Sequence, residues 1–252
     1  MEFKNKKVMQ IILNNLPIIG QGSQGICYYN KKDEVYKIFH QAFEDDDFIN
    51  YTKNELLRFS NVKNKTFLWA KDVIVLENEI IGYITDYVKA KSLFKIDPLK
   101  INLNKFMNDI SEVEKDIKII SNNGIKTYDL MYNTLYGNSF YMTDFDEFSY
   151  SDLDSKILED MNKRNFYYEL YYFLIDGYFD EFIKQYKILN KMYEEKKDNI
   201  LTFIELLRKY LSEYIGSNIN SLNEAKKCLN KVKQINFVYQ RDLSIGGIKW
   251  VI

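Results

Sequence analysis

The stretch Ile19–Tyr28, IGQGSQGICY, gathers Gly20, Gly22 and Gly25 within six residues, in a chain of 252 residues that has ten glycines and two prolines. Such clustering marks a place where the backbone turns tightly or approaches another group closely. The N–H groups of such a turn can also cradle phosphate oxygens. The residues after the glycines decide the fold. A glycine-rich turn that opens a helix belongs to a parallel α/β unit. Here Cys27-Tyr28-Tyr29 comes next, and then Asp33–Phe39 (DEVYKIF) alternates polar and apolar residues. That pattern predicts strand–loop–strand. An ordinary glycine-rich hairpin would carry the same signature.

Outward from this stretch, Asp72–Leu76 and Ile80–Tyr87 also read as strands. One helix interrupts them, from about Phe43 to Phe59, with Glu44, Asp45, Asp46 and Asp47 in its first turn, at the positive end of the helix dipole. After Leu93 the period changes to 3.6. Leu103, Phe106, Met107, Ile110, Val113, Ile117 and Ile120 form one apolar stripe, ended by Asn122-Asn123-Gly124. A hairpin is predicted next, with Thr134–Tyr136 and Ser139–Thr143 joined by a Gly137-Asn138 turn. From Asp152 to Tyr214 the pattern reads as helical throughout, with Gly216 as a stop, and a last helix covers about Leu222–Gln234. Asp242–Ile252 gives no clear pattern. The expectation is an α+β chain of two parts: 1–88, rich in β-structure with one helix, and 89–252, mainly helical.

Composition narrows the function classes. Hydrophobic residues make up 46% and charged residues 28%, which is globular. Lys plus Arg is 35 against 36 for Asp plus Glu, a net charge of -1, without the basic surplus of a nucleic-acid binder. The balance is even along the chain, with 11 basic and 12 acidic groups in residues 1–88. One histidine, His40, excludes sites that need two. Cys27 and Cys228 cannot make a disulfide framework, and a reducing compartment fits. Apolar runs are too short to span a membrane. Lys4, Lys6 and Lys7 before Val8–Leu13 give the outline of a signal peptide, but Gln10, Asn14 and Asn15 break it, and a cytoplasmic protein is expected.

Several residues could carry chemistry. Lys37 lies twelve residues past Gly25, in mid-strand; a lysine on a solvated strand face is the plainer alternative. Glu55 shares a helical face with Phe48, Thr52 and Phe59, and a carboxylate among inward-facing apolar groups needs a partner. An exposed helix glutamate is the other reading. Asp129, Asn133 and Asp144 lie on the loop and hairpin after the long helix, where such residues also serve as ordinary turn formers.

Taken in order, these segments resemble the protein-kinase superfamily over about Gly20–Asp146. The glycine-rich stretch is similar to the loop that covers ATP, and Val35-Tyr36-Lys37 to the strand lysine of V-A-I-K. Glu55, eighteen residues on, stands near the family's Lys–Glu separation. Ile81–Leu93 resembles the strand and hinge, with Thr85 at the gatekeeper position and Asp86 at the acidic one. Thr127–Tyr136 resembles H-x-D-L-x-x-x-N, and Asp144-Phe145-Asp146 resembles D-F-G.

The resemblance implies a two-lobed kinase-like fold and an ATP- and Mg²⁺-dependent phosphotransferase. Gly20, Gly22, Ser23, Gly25, Lys37, Asp86 and Val88 would bind nucleotide, Lys37 paired with Glu55. Asp129 would be the catalytic base, with Asn133 and Asp144 on the metal. The acceptor would be a hydroxyl, slightly favoured as Ser or Thr of a protein, with a small molecule as the alternative. Neither nucleic acid nor membrane is expected as a partner. Departures are plain. Thr127 replaces the usual histidine, Asn133 follows Asp129 by four residues instead of five, Asp146 replaces glycine, and no A-P-E follows. Asp146 favours a small-molecule acceptor, and the shortened loop keeps a nucleotide-binding pseudokinase as the runner-up.

Overall fold

The computed structural model describes residues 1–43, 51–130, 133–175 and 177–233. Glu44–Asp47 and Phe48 of the expected first helix, Gln234, and the segment Asp242–Ile252 lie outside them. The chain divides between Lys89 and Ala90 into two compact units, an N-terminal one built on a β-sheet and a C-terminal one that is mainly helical.

The N-terminal unit contains β1 (Glu2–Phe3), α1 (Lys6–Leu13), β2 (Ile18–Gln21), β3 (Gly25–Tyr29), β4 (Glu34–Phe39), α2 (Lys53–Leu56), β5 (Asp72–Leu76) and β6 (Glu79–Asp86). The strands form one sheet in the order β1-β5-β6-β4-β3-β2, antiparallel except for β1 beside β5. The Val8–Leu13 run with the outline of a leader forms most of α1. Asn5 caps it through Val8 N at 2.9 Å, and Met9 and Leu13 are buried with Phe3, Ile38, Ile74 and Ile81 in one core cluster.

The C-terminal unit contains β7 (Lys91–Ser92), α3 (Leu103–Asn122), β8 (Ile125–Lys126), β9 (Thr134–Tyr136), β10 (Phe140–Met142), β11 (Ser149–Tyr150), α4 (Ser155–Ile175), α5 (Asp180–Ile183), α6 (Lys187–Glu195), α7 (Ile200–Ile215) and α8 (Leu222–Lys233). The stripe on α3 is the buried one: Leu103, Phe106, Ile110, Val113, Ile117 and Ile120 are all inside. The hairpin forms in the expected register, with Phe140 opposite Tyr136 and Met142 opposite Thr134. Phe106, Tyr136, Phe140 and Phe166 stack around it at centroid distances of 4.6–5.4 Å.

The expected single helical run from Asp152 to Tyr214 is four helices. Gly177 follows α4 at φ +75° and Lys196 ends α6 at φ +49°, and a left-handed residue stops an α-helix. Gly216, at φ +76°, closes α7 in the same way. No helix among the described residues is long and apolar enough to cross a membrane.

Candidate functional site

In the N-terminal unit Lys37 lies on β4, and the glycine-rich turn joins β2 to β3. Lys37 pairs with Cys27 on one side and Tyr83 on the other. The strands flanking it pack tightly. A Cβ at Gly25 would sit 2.3 Å from the Ile38 carbonyl oxygen, and one at Gly82 would sit 2.0 Å from that of Lys37. Packing therefore accounts for Gly25. It does not account for Gly22, where a Cβ would meet nothing within 4 Å. Gly20 has ordinary contact with Cys27, and Ser23 is exposed at the tip of the turn.

Lys37 is buried, with 7% of its surface exposed. A buried ammonium needs partners. Its Nζ donates to Gln24 Oε1 at 3.0 Å and lies 5.4 Å from the centre of the Tyr83 ring. The turn is fastened at two further points. The His40 backbone N donates to the Gln24 carbonyl at 3.0 Å, and His40 Nε2 lies 2.8 Å from the Gly22 carbonyl oxygen. Asp86, at the end of β6, is exposed and pairs with Lys71 at 2.8 Å, while Val88 is half-buried just before the unit boundary.

Glu55 departs from the expectation of an inward-facing partner for Lys37 on a long helix. Thr52 is the N-cap of the short α2, and Glu55 is its third residue. The Thr52 backbone N and Oγ1 both donate to Glu55 Oε2 at 2.7 Å, and Glu55 N donates back to Thr52 Oγ1 at 3.2 Å. The reason is local: Thr52-Lys53-Asn54-Glu55 is a capping box, which satisfies orphan donors at the helix start reciprocally. The carboxylate is fully exposed, and the Thr52 backbone bond leads the interactions that hold it below the usual carboxylate range.

In the C-terminal unit the three acidic and amide candidates are tied together. Asp129 is exposed, in the left-handed region at φ +42°. Asn133 Nδ2 donates to the Asp129 carbonyl at 2.9 Å. Thr143, the residue before Asp144, donates to the Asn133 carbonyl from both its N (2.9 Å) and its Oγ1 (3.0 Å). Asp144 itself is left-handed at φ +59°. The loop, one residue shorter than the H-x-D-L-x-x-x-N pattern, is thus closed on itself by Asn133 and joined to the end of the hairpin.

Below the loop, α4 holds it. Thr127 is buried, and its N and Oγ1 both donate to Asn162 Oδ1, at 2.9 and 3.0 Å. Asn162 Nδ2 donates to the Ile125 carbonyl at 2.8 Å and to Ser121 Oγ at 3.0 Å. Asn165 Nδ2 donates to the Thr127 carbonyl at 2.9 Å. Residue 127 is therefore held in place by two asparagines of α4.

No protein-family model matches the chain, and no curated protein matches it in sequence. The chain is similar in fold to a protein kinase domain. The PknI kinase domain of Mycobacterium tuberculosis aligns at 12% identity and a TM-score of 0.46, over 85% of this chain and 93% of that one. A single-site variant of that domain aligns at 12% and 0.47, and a double variant at 11% and 0.46, each over 85% and 92%. Sequence reading does not single out Gln24, His40, Asn162, Asn165 or Glu169. The signal for Asn162 and Asn165 is their polarity at the start of an otherwise apolar helical stretch, Phe166–Ile175 following directly.

Proposed function

We propose that the protein is an ATP- and Mg²⁺-dependent phosphotransferase. The observation that carries this reading is the chain of hydrogen bonds Asp129–Asn133–Thr143, which brings the Asp129 loop and the Asp144 strand end together. Lys37 would neutralise charge on the α- and β-phosphates, exchanging its bond to Gln24 for phosphate oxygens. Gly22 leaves room for backbone N–H groups to approach them. Hinge backbone near Asp86 and Val88 would take the adenine edge.

The donor set suits Mg²⁺. Asn133 uses its amide nitrogen on Asp129, and its carbonyl oxygen together with the Asp144 carboxylate would hold the metal. Among the described residues no group of three or more His, Cys, Asp or Glu could hold a metal alone. Mg²⁺ takes one or two protein oxygens and completes its shell with water and phosphate. Bound there, Mg²⁺ would offset the charge that develops on the transferred phosphoryl oxygens. Asp129 would accept the proton of the acceptor hydroxyl as its oxygen bonds to phosphorus and the bond to ADP breaks.

A small-molecule hydroxyl is favoured over a protein one. Eight residues, 147–154, separate Asp146 from α4, and Ser149–Tyr150 among them pair with β8. That connection is too short to form an extended platform for a peptide. Incubation with labelled ATP and a cell extract tests this: label in low-molecular-weight material is expected, and label in protein alone would reverse the preference. A second reading, nucleotide binding without turnover, is favoured by Glu55, which is occupied by Thr52 rather than Lys37. Absence of ATP turnover by purified protein with Mg²⁺, despite tight binding, would decide for it.

A further inference from the structure

Glu169, on α4, is 1% exposed and touches Thr134, the first residue of β9, where the Asp129 loop ends. Its Oε2 lies 2.7 Å from Thr134 Oγ1, and the same Oγ1 lies 3.0 Å from the Leu130 carbonyl oxygen. A hydroxyl has one proton to give. If Thr134 gives it to Leu130, the contact with Glu169 is a bond only when Oε2 carries a proton of its own. If Glu169 is ionised, Thr134 turns to it and the Leu130 carbonyl loses one of its two donors, keeping the Asn133 backbone N at 3.1 Å. An ionised Glu169 would also leave negative charge on Oε1, which is buried with no hydrogen-bond partner. The neutral acid satisfies both contacts and leaves one carbonyl oxygen unpaired, a far smaller penalty.

The electrostatic surroundings agree. Burial pushes the Glu169 carboxyl well above the usual carboxylate range; the Thr134 bond opposes this, and the Asp129 charge adds to it. Other acidic groups near α4 face elsewhere: Glu114 of α3 and Glu159 act on Tyr167, and Asp198 acts on Tyr171. Among the described residues, Asp129 is the charged group that acts on Glu169.

We propose that Glu169 is a positioning residue for Asp129. As a neutral carboxylic acid it donates to Thr134, freeing Thr134 to hold the Leu130 carbonyl and so to fix the turn in which Asp129 is left-handed. This rests on the reading of Asp129 as the base. Ionisation at alkaline pH would break the relay and set a second negative charge against Asp129.

The test compares wild type with Glu169→Gln, which keeps a donor and cannot ionise, and Glu169→Leu, which keeps volume and has none. Three quantities are measured: stability from pH 5 to 9, amide exchange over residues 127–134, and phosphotransfer. An unfolded glutamate ionises near pH ~4.3. The folded form keeps its proton, so stability is present at low pH and is lost as pH rises toward the folded value. Relative to Glu169→Gln, the folded-to-unfolded ratio of wild type should fall about tenfold per pH unit over that range. Exchange in the loop should rise in Glu169→Leu and stay near wild type in Glu169→Gln. Transfer by Glu169→Gln should hold at alkaline pH where wild type declines. Parallel stability profiles for wild type and Glu169→Gln would overturn the neutral acid. Unchanged loop exchange in Glu169→Leu would overturn the positioning role. If wild type transfers no phosphate while stability and exchange behave as expected, the phosphotransfer reading falls and the Glu169 relay stands.

Discussion

Two glycines of the same turn obey different constraints, and substitution separates them. Gly25→Ala places a methyl group 2.3 Å from the Ile38 carbonyl, so β3 and β4 must move apart. A loss of about 1–3 kcal/mol is expected, read by denaturant melts. Gly22→Ala meets no atom, so the melt should stay at wild type while ATP affinity falls. A Gly22→Ala protein with full ATP affinity would remove this turn from the nucleotide site. Asp129 and Asp144 are both left-handed, a conformation that asparagine tolerates better than most residues. Their Asn variants should therefore fold normally and report on chemistry. Asp129→Asn should keep ATP affinity and lower the transfer rate by about 100- to 10,000-fold. Asp144→Asn should weaken Mg²⁺ dependence instead, since it removes a charged oxygen ligand. Full transfer by Asp129→Asn would show that the base lies elsewhere.

At the scale of elements, the Asp129 loop owes its shape to α4. Asn162 makes four hydrogen bonds inside the core, to Thr127 twice, Ser121 and Ile125. Asn162→Ala orphans two donors and a carbonyl, and should cost about 2–4 kcal/mol, whereas Asn165→Ala, at an exposed position bonded to the Thr127 carbonyl, should cost about 1. Equal melting temperatures for the two variants would contradict the buried network. The strands and the α3 stripe are legible in the sequence because periodicity reports directly on which face is buried. β5 falls on Asp72–Leu76 as expected, and α3 ends within a residue of Asn122-Asn123. The illegible parts depend on competition between local and distant partners. Glu55 has the right spacing to Lys37, but Thr52 is three residues away and offers a cap without the entropy of a long loop. Likewise the helical pattern after Asp152 continues through Gly177 and Lys196, where the backbone stops it. The relay through Glu169 needs the fold, because no spacing rule links position 169 to position 134.

For the molecule as a whole, the proposed function makes nucleotide a source of stability. Each unit has a core of its own, the N-terminal one around Ile38, Ile74 and Ile81, the C-terminal one around Phe106, Phe140 and Phe166. Folding therefore does not require the ligand, and a ligand that binds only folded protein shifts the equilibrium by mass action. At about a hundred times its dissociation constant, ATP with Mg²⁺ adds roughly 2.7 kcal/mol. For a chain of this size that corresponds to a rise of roughly 5–10 °C in melting temperature. Lys37→Met gives the contrast. It replaces a buried cation by an apolar chain of similar length and removes the bond to Gln24 Oε1. Measured against its own unliganded melting temperature, the variant should show little shift with ligand. Asp144→Asn should keep the shift given by ATP alone and lose the increment that Mg²⁺ adds. A wild-type protein with no shift under saturating ATP and Mg²⁺ would count against both nucleotide-binding readings at once. A full shift in Lys37→Met would leave nucleotide binding intact and remove Lys37 from it, because the buried ammonium would then be a structural group held by Gln24 and Tyr83.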